Sequence, residues 1–415
     1  MISENCVLIL VKQLFLILFL KYILFAYECE IGIKPRLLRF IKYNKKTMKN
    51  NNNKSYLNSL KEYIDLINQN KLKAIDYHYE INKPKISFIS PVFNKEKYLN
   101  SLILSIQHQR ISDFEIIFID DRSTDKSINI INKFSEIDNR IKLIKNKSNK
   151  GTLYSRSQGA LLSKGEYIIF IDSDDLVLRE GLYNSYNYIK NNDLSMVQFN
   201  TIFKRNESLS LSIRYYKYAK VIRQPILSYI FYYNEVTDKG DEKNTALWDK
   251  LVKRDTVIKA MNFIGKDYYN ELIRIENDVI LLFSIFKMAD SYQYINETGY
   301  YYVRTNNDSI TNIWKLPEVS KSVVHGIFVN VKFLYQKTGN SILDKMLCVF
   351  KLKQSFKRYI ICFSMAEKEY DFMKNVLKLL LNSTYISNDD KTIISYIDSS
   401  ISLIYLSINS TKISF

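Results

Sequence analysis

The stretch KGEYIIFIDSDDL, residues 164–176, is the most informative part of this chain. Tyr167 to Ile171 form an apolar run without polar alternation, which is typical of a strand buried on both faces in the middle of a parallel sheet. The acids that follow lie at the carboxyl end of this strand, where open α/β sheets bind their ligands. Asp172 and Asp174 can direct oxygens at one hard divalent cation, so we predict a site for a metal and a diphosphate. A turn without chemistry is the alternative, because Asp is common in turns.

Strand and helix patterns alternate in the sequence that precedes this stretch. The predicted elements are a strand at Ile86–Ser90, a turn at Pro91–Asn94, a helix carrying Tyr98 to Ile106 with Asn94 as its N-cap, a strand at Phe114–Ile119, a helix at Thr124–Phe134, a strand at Ile141–Ile144 and a helix from Gly151 to Ser163. This alternation predicts βαβ units with right-handed crossovers and a parallel sheet. Asp120, Asp121, Asp172 and Asp174 each follow a strand, so we expect them on one rim of the sheet.

The N-terminal residues 1–28 contain a long apolar run, Val7 to Tyr27, interrupted by two lysines and a glutamine. Its apolar side chains outweigh the insertion cost of the lysines, so we predict an uncleaved single-pass membrane anchor in the endomembrane system. A signal peptide that ends at Ala26 is the alternative. The basic flank after the run favours a cytosolic body, but the side of the membrane stays open.

Three further segments precede or follow the predicted sheet in the sequence. Residues 29–54 form a basic, asparagine-rich linker that is either a solvated tether or a contact for anionic lipid headgroups. Residues 55–84 carry apolar side chains at helical spacing, such as Ile64 and Ile67, which predicts an amphipathic helix packed on the next domain. Residues 312–415 also show helical spacing and form a predicted extension without assigned chemistry.

Composition supports a folded chain and argues against several kinds of site. A hydrophobic content of 47% is sufficient for a packed core. Nearly half of the net charge of +17 lies in Lys34 to Lys54, and the rest is scattered among lysines without glycine-aromatic RNA motifs, so a nucleic acid is not an expected partner. The 4 cysteines have no C-x-x-C spacing, and the 3 histidines lie far apart with no nucleophile elbow, which argues against a zinc site and a hydrolytic triad.

Several blocks of sequence occur in a defined order between residues 85 and 311. They are VFNKEKYL at 92–99, FEII at 114–117 with DDRSTD at 120–125, NKG at 149–151 with SR at 155–156, GEY at 165–167 with DSDD at 172–175, LWDKL at 247–251, ND at 277–278 and an aromatic segment at 300–311. Together these blocks resemble family 2 glycosyltransferases of the GT-A fold. The resemblance implies an α/β architecture with a Rossmann-like, mostly parallel central sheet and helices on both faces.

The resemblance also implies a nucleotide-diphosphate donor, most readily a UDP-sugar. By similarity to the family, Pro91, Phe93 and Asn94 would wall the nucleoside, and Asp120 and Asp121 would bind the base or ribose. Helix capping is the alternative for both aspartates.

The phosphates have their own candidate ligands. Asp172 would reach the ribose or the metal, and Asp174 would bind Mn²⁺ or Mg²⁺ bridging both phosphates, where the cation acts as a Lewis acid on the leaving group. Arg156 would add bidentate contacts to phosphate. The family's A-R-N reads Ser155-Arg156-Ser157 here, so an ordinary surface arginine is the alternative.

An inverting transfer needs a carboxylate base on the face of the sugar opposite the leaving group. Asp278 matches the aspartate of the family's E-D block; Asn277 stands where Glu is usual, and Glu276 could substitute. A helix N-terminal acid favoured by the macrodipole is the alternative for Asp278. Trp248 would line the acceptor side or belong to the core, and Gly299 to Val303 would form a closing flap or an edge strand.

We therefore predict an inverting, metal-dependent glycosyltransferase that moves a sugar from a nucleotide-diphosphate donor to a glycan, lipid or protein acceptor. A catalytically inactive GT-A scaffold that binds a nucleotide or glycan is the alternative. A nucleotidyltransferase is disfavoured, because Ser90 to Lys97 lacks a glycine-rich phosphate loop.

Overall fold

The computed structural model describes residues 62–67, 69, 71–79, 83–204, 212–213, 221–224, 246–270, 272–273 and 277–303, together with residues 329, 330, 333 and 337. Its strands are β1 (Ile86–Val92), β2 (Phe114–Asp120), β3 (Ile141–Lys145), β4 (Tyr167–Phe170), β5 (Leu176–Val177), β6 (Met196–Lys204), β7 (Ser212–Ile213), β8 (Ile222–Arg223), β9 (Lys250–Lys253) and β10 (Ser291–Val303). Its helices are α1 (Leu99–Gln107), α2 (Ser127–Ile137), α3 (Thr152–Leu162), α4 (Arg179–Asn191), α5 (Arg254–Ile264), α6 (Lys266–Tyr269) and α7 (Asn277–Met288).

The strands form one mixed sheet, in which eight follow the order β3-β2-β1-β4-β9-β6-β10-β5, while β7 pairs with β6 and β8 pairs with β10. The pairs β2 with β3, β1 with β2 and β1 with β4 are all parallel, which confirms the predicted βαβ half of the sheet. The second half is mixed, since β9 runs antiparallel to both β4 and β6, whereas β6 and β10 run parallel. The fold is therefore α/β, with its parallel strands carrying the predicted acids at one rim.

Apolar side chains cover both faces of the sheet. On β4, Ile168 and Phe170 pack into the cluster that contains α3, α5 and α7, and Tyr167 and Ile169 pack into the cluster that contains α1, α2 and α4. This confirms the prediction that the strand is buried on both faces. A Cβ at Gly159 of α3 would lie 2.5 Å from the Ile89 side chain, so this glycine allows α3 to approach the sheet closely.

The predicted N-cap of α1 is wrong. Tyr98 is the N-cap, and it makes no capping side-chain hydrogen bond. Asn94 instead has a φ of 52° and accepts a hydrogen bond at its side-chain oxygen from the backbone N–H of Thr124, at 2.8 Å. A contact between two loops has thus replaced the local cap, because Asn tolerates the left-handed conformation that the turn requires.

The amphipathic helix predicted for residues 55–84 is shorter in the described part of the chain. Residues 62–67 are helical, and Ile64 and Ile67 pack against Leu176 and Tyr301, which confirms their predicted packing on the domain. Residues 71–79 are not helical, and Tyr77 instead forms a bridge to Asp138.

The predicted membrane anchor at 1–28 and linker at 29–54 lie outside the described residues, as does the C-terminal extension apart from residues 329, 330, 333 and 337. Within the ranges that are described, no helix is both long and apolar enough to cross a membrane.

The segment Gly299 to Val303 is neither a flap nor an edge strand. It belongs to β10, which lies between β6 and β5 in the sheet, and Tyr300 and Tyr301 are buried. The aromatic residues of this segment therefore form part of the core behind the rim.

Candidate active site

The acids predicted to share one rim lie at the carboxyl ends of β2 and β4. Val92 at the end of β1 is in register with Asp120 at the end of β2, and the backbone N–H of Asp121 donates to the Val92 carbonyl at 2.8 Å. β4 ends at Phe170, next to β1, and leads into Asp172. The second turn of α3 and the first turn of α7 bring further charged side chains to this rim.

Asp120 and Asp121 organise the loops on the β2 side. The carboxylate of Asp120 accepts a hydrogen bond from the backbone N–H of Ser123 at 3.2 Å, within the turn after β2. The carboxylate of Asp121 accepts from the backbone N–H groups of Lys150 and Gly151 at 2.7 and 2.8 Å and from the Asn146 side chain at 2.9 Å. Asp121 thus binds the two residues directly before α3, whereas Asp120 closes a turn and caps no helix.

Gly151 makes the Asp121 contact possible. Its φ of 84° and ψ of 167° define a conformation open essentially to glycine alone, and this conformation turns two successive N–H groups toward one carboxylate. The contact fixes the start of α3 against the end of β2. Arg156, in the second turn of α3, is positioned through this junction.

Arg156 connects two carboxylates from separate elements. Its side chain is 4% exposed; Nη2 donates to Oδ1 of Asp172 at 2.7 Å, and Nη1 donates to Oδ1 of Asp278 in the first turn of α7. Burial would lower the pKa of Arg156, but the charges of Asp278 and Asp172 outweigh burial and raise it. Arg156 is therefore not a surface arginine, and its guanidinium contacts acids rather than lying free for a phosphate.

The surroundings of Asp172 disfavour the ionised form of its carboxyl. Burial raises its pKa to about 6; the guanidinium of Arg156 opposes this rise, and the charges of Asp278 and Asp174 add to it. The carboxylates of Asp172, Asp174 and Asp278 thus lie close enough to repel one another. An additional cation would relieve their repulsion.

Lys95 supplies the second positive charge of the site. Its Nζ lies 2.6 Å from Oδ2 of Asp174, and the two side chains are 20% and 18% exposed. Burial lowers the pKa of Lys95, but the attraction of Asp174 outweighs burial and raises it. Our sequence reasoning missed Lys95, although its place in the loop directly after β1, on the same rim as the acids, was a usable signal.

Asp172 and Asp174 together offer hard oxygen ligands of the kind that Mg²⁺ and Mn²⁺ prefer. Across the described ranges, no group of three or more His, Cys, Asp or Glu side chains is arranged to hold a metal ion by itself. Two carboxylates nevertheless suit a divalent cation that takes its other ligands from phosphate oxygens and water, as Mg²⁺ commonly does. The donor set therefore fits a metal that binds together with a diphosphate.

The remaining predicted residues lie around these acids. Phe93 is 47% exposed and Pro91 is partly buried, so the loop after β1 presents an aromatic face at the rim. Trp248 is only 7% exposed, and its ring stacks on Tyr300 at 4.9 Å between centroids and 15° between planes. Trp248 thus has the core packing that was the alternative to an acceptor contact, and Glu276 lies outside the described residues.

Direct contacts therefore join Asp172, Asp278 and Arg156, and a separate ion pair holds Asp174 close by. Asp121 is connected to this group through the start of α3. The nucleotide and acceptor roles of these residues stay predictions.

Residues 87–241 match the family model described as glycosyl transferase family 2. This part of the chain is a family 2 glycosyltransferase domain. An uncharacterized glycosyltransferase of Haemophilus influenzae is 43% identical over 123 residues, which cover 30% of this chain and 49% of the relative. The chain thus spans about half the length of that relative.

Longer but weaker similarities extend beyond this family 2 domain. The cholesterol galactosyltransferase of Borreliella burgdorferi is 27% identical over 302 residues, which cover 69% of this chain and 79% of the relative. The poly(ribitol-phosphate) beta-N-acetylglucosaminyltransferase TarP of Staphylococcus aureus is 27% identical over 250 residues, which cover 56% and 73% of the two chains.

The fold is also similar to a solved structure. The crystal structure of S. aureus TarS 1–349 in complex with UDP-GlcNAc superimposes with a TM-score of 0.56 at 16% identity, covering 80% of this chain and 92% of the TarS chain. This likeness places the family 2 domain in a GT-A-like fold.

Proposed function

We propose that the chain transfers a sugar from a UDP-sugar to an acceptor hydroxyl, with inversion and with the help of Mn²⁺ or Mg²⁺. The observation that carries this proposal is the guanidinium of Arg156, which joins Asp172 to Asp278. The guanidinium contacts both Asp172, which is suited to the diphosphate, and Asp278, which is suited to act as a base. The relatives include a galactosyltransferase and an N-acetylglucosaminyltransferase, which supports sugar transfer.

The nucleoside would bind against the loop after β1. The exposed ring of Phe93 offers a stacking surface, and Pro91 and Asn94 flank it. Asp121 already accepts three hydrogen bonds, but a carboxylate has about four lone-pair positions, so one stays for the base or ribose. Asp120 would act mainly by shaping the turn beside it.

The diphosphate would bind where Asp172 and Asp174 lie. A divalent cation held by these two carboxylates and by the phosphates would stabilise the charge that develops on the leaving group. Lys95 and Arg156 lie beside the same acids, and each can shift its hydrogen bonds toward a phosphate oxygen. The diphosphate would thus replace carboxylate contacts that the two cations make in its absence.

Asp278 would remove the proton from the acceptor hydroxyl. Its side chain is 30% exposed at the first turn of α7, so an acceptor can reach it from solvent. In the absence of substrate, Oδ1 of Asp278 accepts a hydrogen bond from Arg156. Binding of the diphosphate would draw Arg156 toward the phosphates and leave this oxygen open to the acceptor hydroxyl.

The acceptor is proposed only as a class, namely a hydroxyl of a glycan, lipid or protein. We also propose that residues 1–28 anchor the enzyme in a membrane, which would suit a membrane-associated acceptor.

A panel of nucleotide sugars tests the proposed function. The full chain is incubated with each donor in the presence of Mn²⁺ or Mg²⁺, and release of the nucleoside diphosphate is measured. We expect release from one UDP-sugar above all others, and weaker release by Asp174→Asn at the same metal concentration. Failure to release a nucleoside diphosphate from any donor, together with intact UDP binding, would favour the catalytically inactive scaffold.

A further inference from the structure

The last acid of the DSDD stretch has a different environment from the others. Asp175 is 1% exposed, and its two oxygens accept hydrogen bonds from the hydroxyl of Tyr300 and the backbone N–H of Val303, both at 2.8 Å. Both donors belong to β10. Asp175 therefore connects the loop between β4 and β5 to β10, the strand that pairs with β5.

Tyr300 completes this connection through its hydroxyl oxygen. The hydroxyl donates to Asp175 and accepts a hydrogen bond from the backbone N–H of Asp172 at 3.1 Å. Burial and the charge of Asp175 raise the pKa of Tyr300 well above its usual range, so the phenol keeps the proton that it donates. The ring is fully buried and stacks on Trp248, which fixes the hydroxyl in place.

The backbone of Asp172 is consequently held at both of its polar groups. Its N–H donates to Tyr300, and its carbonyl accepts from the backbone N–H of Asp175 at 3.2 Å. The two residues that fix Asp172 also hydrogen-bond to each other. Asp174 lies within the turn that these contacts close.

We infer that Asp175 and Tyr300 are a positioning pair that fixes Asp172 and Asp174 for the diphosphate. The inference rests on the proposed function, and neither residue needs to touch the substrate. A displacement on the order of 1 Å at a ligand is sufficient to weaken binding and turnover, and a loop residue without fixed backbone contacts moves by such amounts readily. We therefore expect the hydroxyl of Tyr300 to matter more for positioning Asp172 and Asp174 than its aromatic ring does.

Tyr292 provides a matched control. It lies on the same strand, is fully buried, and donates its hydroxyl to the side chain of Gln198 at 2.7 Å. Tyr292 and Tyr300 are eight positions apart, which corresponds to roughly 25 Å along a strand. Tyr292→Phe and Tyr300→Phe thus remove the same group from comparable surroundings, but only the second touches the DSDD loop.

The test compares UDP binding by calorimetry in the presence and absence of Mn²⁺ for the full wild-type chain and both variants. We expect Tyr300→Phe to raise the Kd for UDP with Mn²⁺, and the Mn²⁺ concentration at half-saturation, by about five- to tenfold, the effect of losing one well-made hydrogen bond. Tyr292→Phe should stay within about twofold of wild type, although both variants should lower the Tm.

Wild-type binding by Tyr300→Phe, or an equal loss in Tyr292→Phe, would overturn the inference. Should Tyr300→Phe fail to fold, Asp175→Asn takes its place, because it removes one of the two acceptor oxygens and should raise the same two constants. A wild-type chain that binds UDP with Mn²⁺ but turns over no donor would contradict the proposed function alone.

Discussion

Asp172 and Asp278 come from separate elements of the chain and accept hydrogen bonds from the same guanidinium, that of Arg156. One acid follows a parallel strand and the other lies in the first turn of a helix. The buried cation keeps two like charges close together, where they would otherwise repel each other. The acid proposed for the donor and the acid proposed as the base are therefore held next to each other before any substrate binds.

The raised pKa of Asp172 predicts how activity depends on pH. Burial raises the pKa of its carboxyl to about 6, and the protonated form binds a cation poorly. We expect kcat/KM for the donor to fall about tenfold for each pH unit below 6. Initial rates from pH 4.5 to 8 measure this decrease in kcat/KM, and circular dichroism over the same range is the control for folding. An acid limb near pH 4 would contradict the assignment.

The raised pKa of Asp172 also makes the stability of the fold depend on pH. The folded-state pKa of Asp172 lies above its unfolded value near 4, so the folded state binds this proton more tightly. The resulting contribution to stability is present below about pH 4 and is lost as the pH rises through 6.

Arg156→Met tests the shared cation through stability. The substitution keeps most of the side-chain volume but leaves Asp172 and Asp278 without their common partner. Because each of these acids is 30% exposed, we expect the free energy of unfolding to fall by about 3 kcal/mol, the low end for a broken buried pair. Arg110→Met is the control, because it breaks an exposed ion pair with Glu180, with side chains that are 41% and 50% exposed. That change should cost at most about 1 kcal/mol.

Urea unfolding at pH 7 gives both values. Equal stability losses in the two arginine variants would show that the guanidinium of Arg156 does not hold the two acids together.

Metal removal tests the proposed role of Asp174. We expect EDTA to abolish sugar transfer and added Mn²⁺ or Mg²⁺ to restore it, since two carboxylates and a diphosphate form a site for a hard cation. Asp174→Asn should need at least about tenfold more metal for half-maximal activity. Asp267→Asn, an exposed aspartate in α6, is the control and should behave as wild type. Full activity in EDTA would show that Lys95 and Arg156 neutralise the leaving group without a metal.

The parallel half of the fold could be predicted because its signal is local. The uninterrupted apolar run of β4 needs burial on both faces, and a strand of this kind followed by acids directs them to one rim. Asp121 and Asp172 could be placed on this rim from the order of strands alone. The mixed half could not be predicted, because the antiparallel pairing of β9 between β4 and β6 depends on partners distant in sequence.

The site contains features that no local pattern encodes. The ion pair of Lys95 with Asp174 joins two loops, and the burial of Arg156 follows from the close approach of α3 to the sheet. Asn94 shows the opposite error, since a local capping rule gave way to a contact with Thr124 in a neighbouring loop. Spacing along the chain thus predicts which acids share the rim, but it does not predict which cations hold them.

Asp278→Asn tests the central claim most directly, with UDP binding and sugar transfer measured on the same preparation. Its control is Asp290→Asn, an exposed aspartate just beyond the other end of α7, about 18 Å away along the helix. We predict that Asp278→Asn lowers kcat by about 10² to 10⁴ and keeps its affinity for UDP within a few fold, while Asp290→Asn stays close to wild type in both. An Asp278→Asn variant that transfers sugar at the wild-type rate would contradict the account.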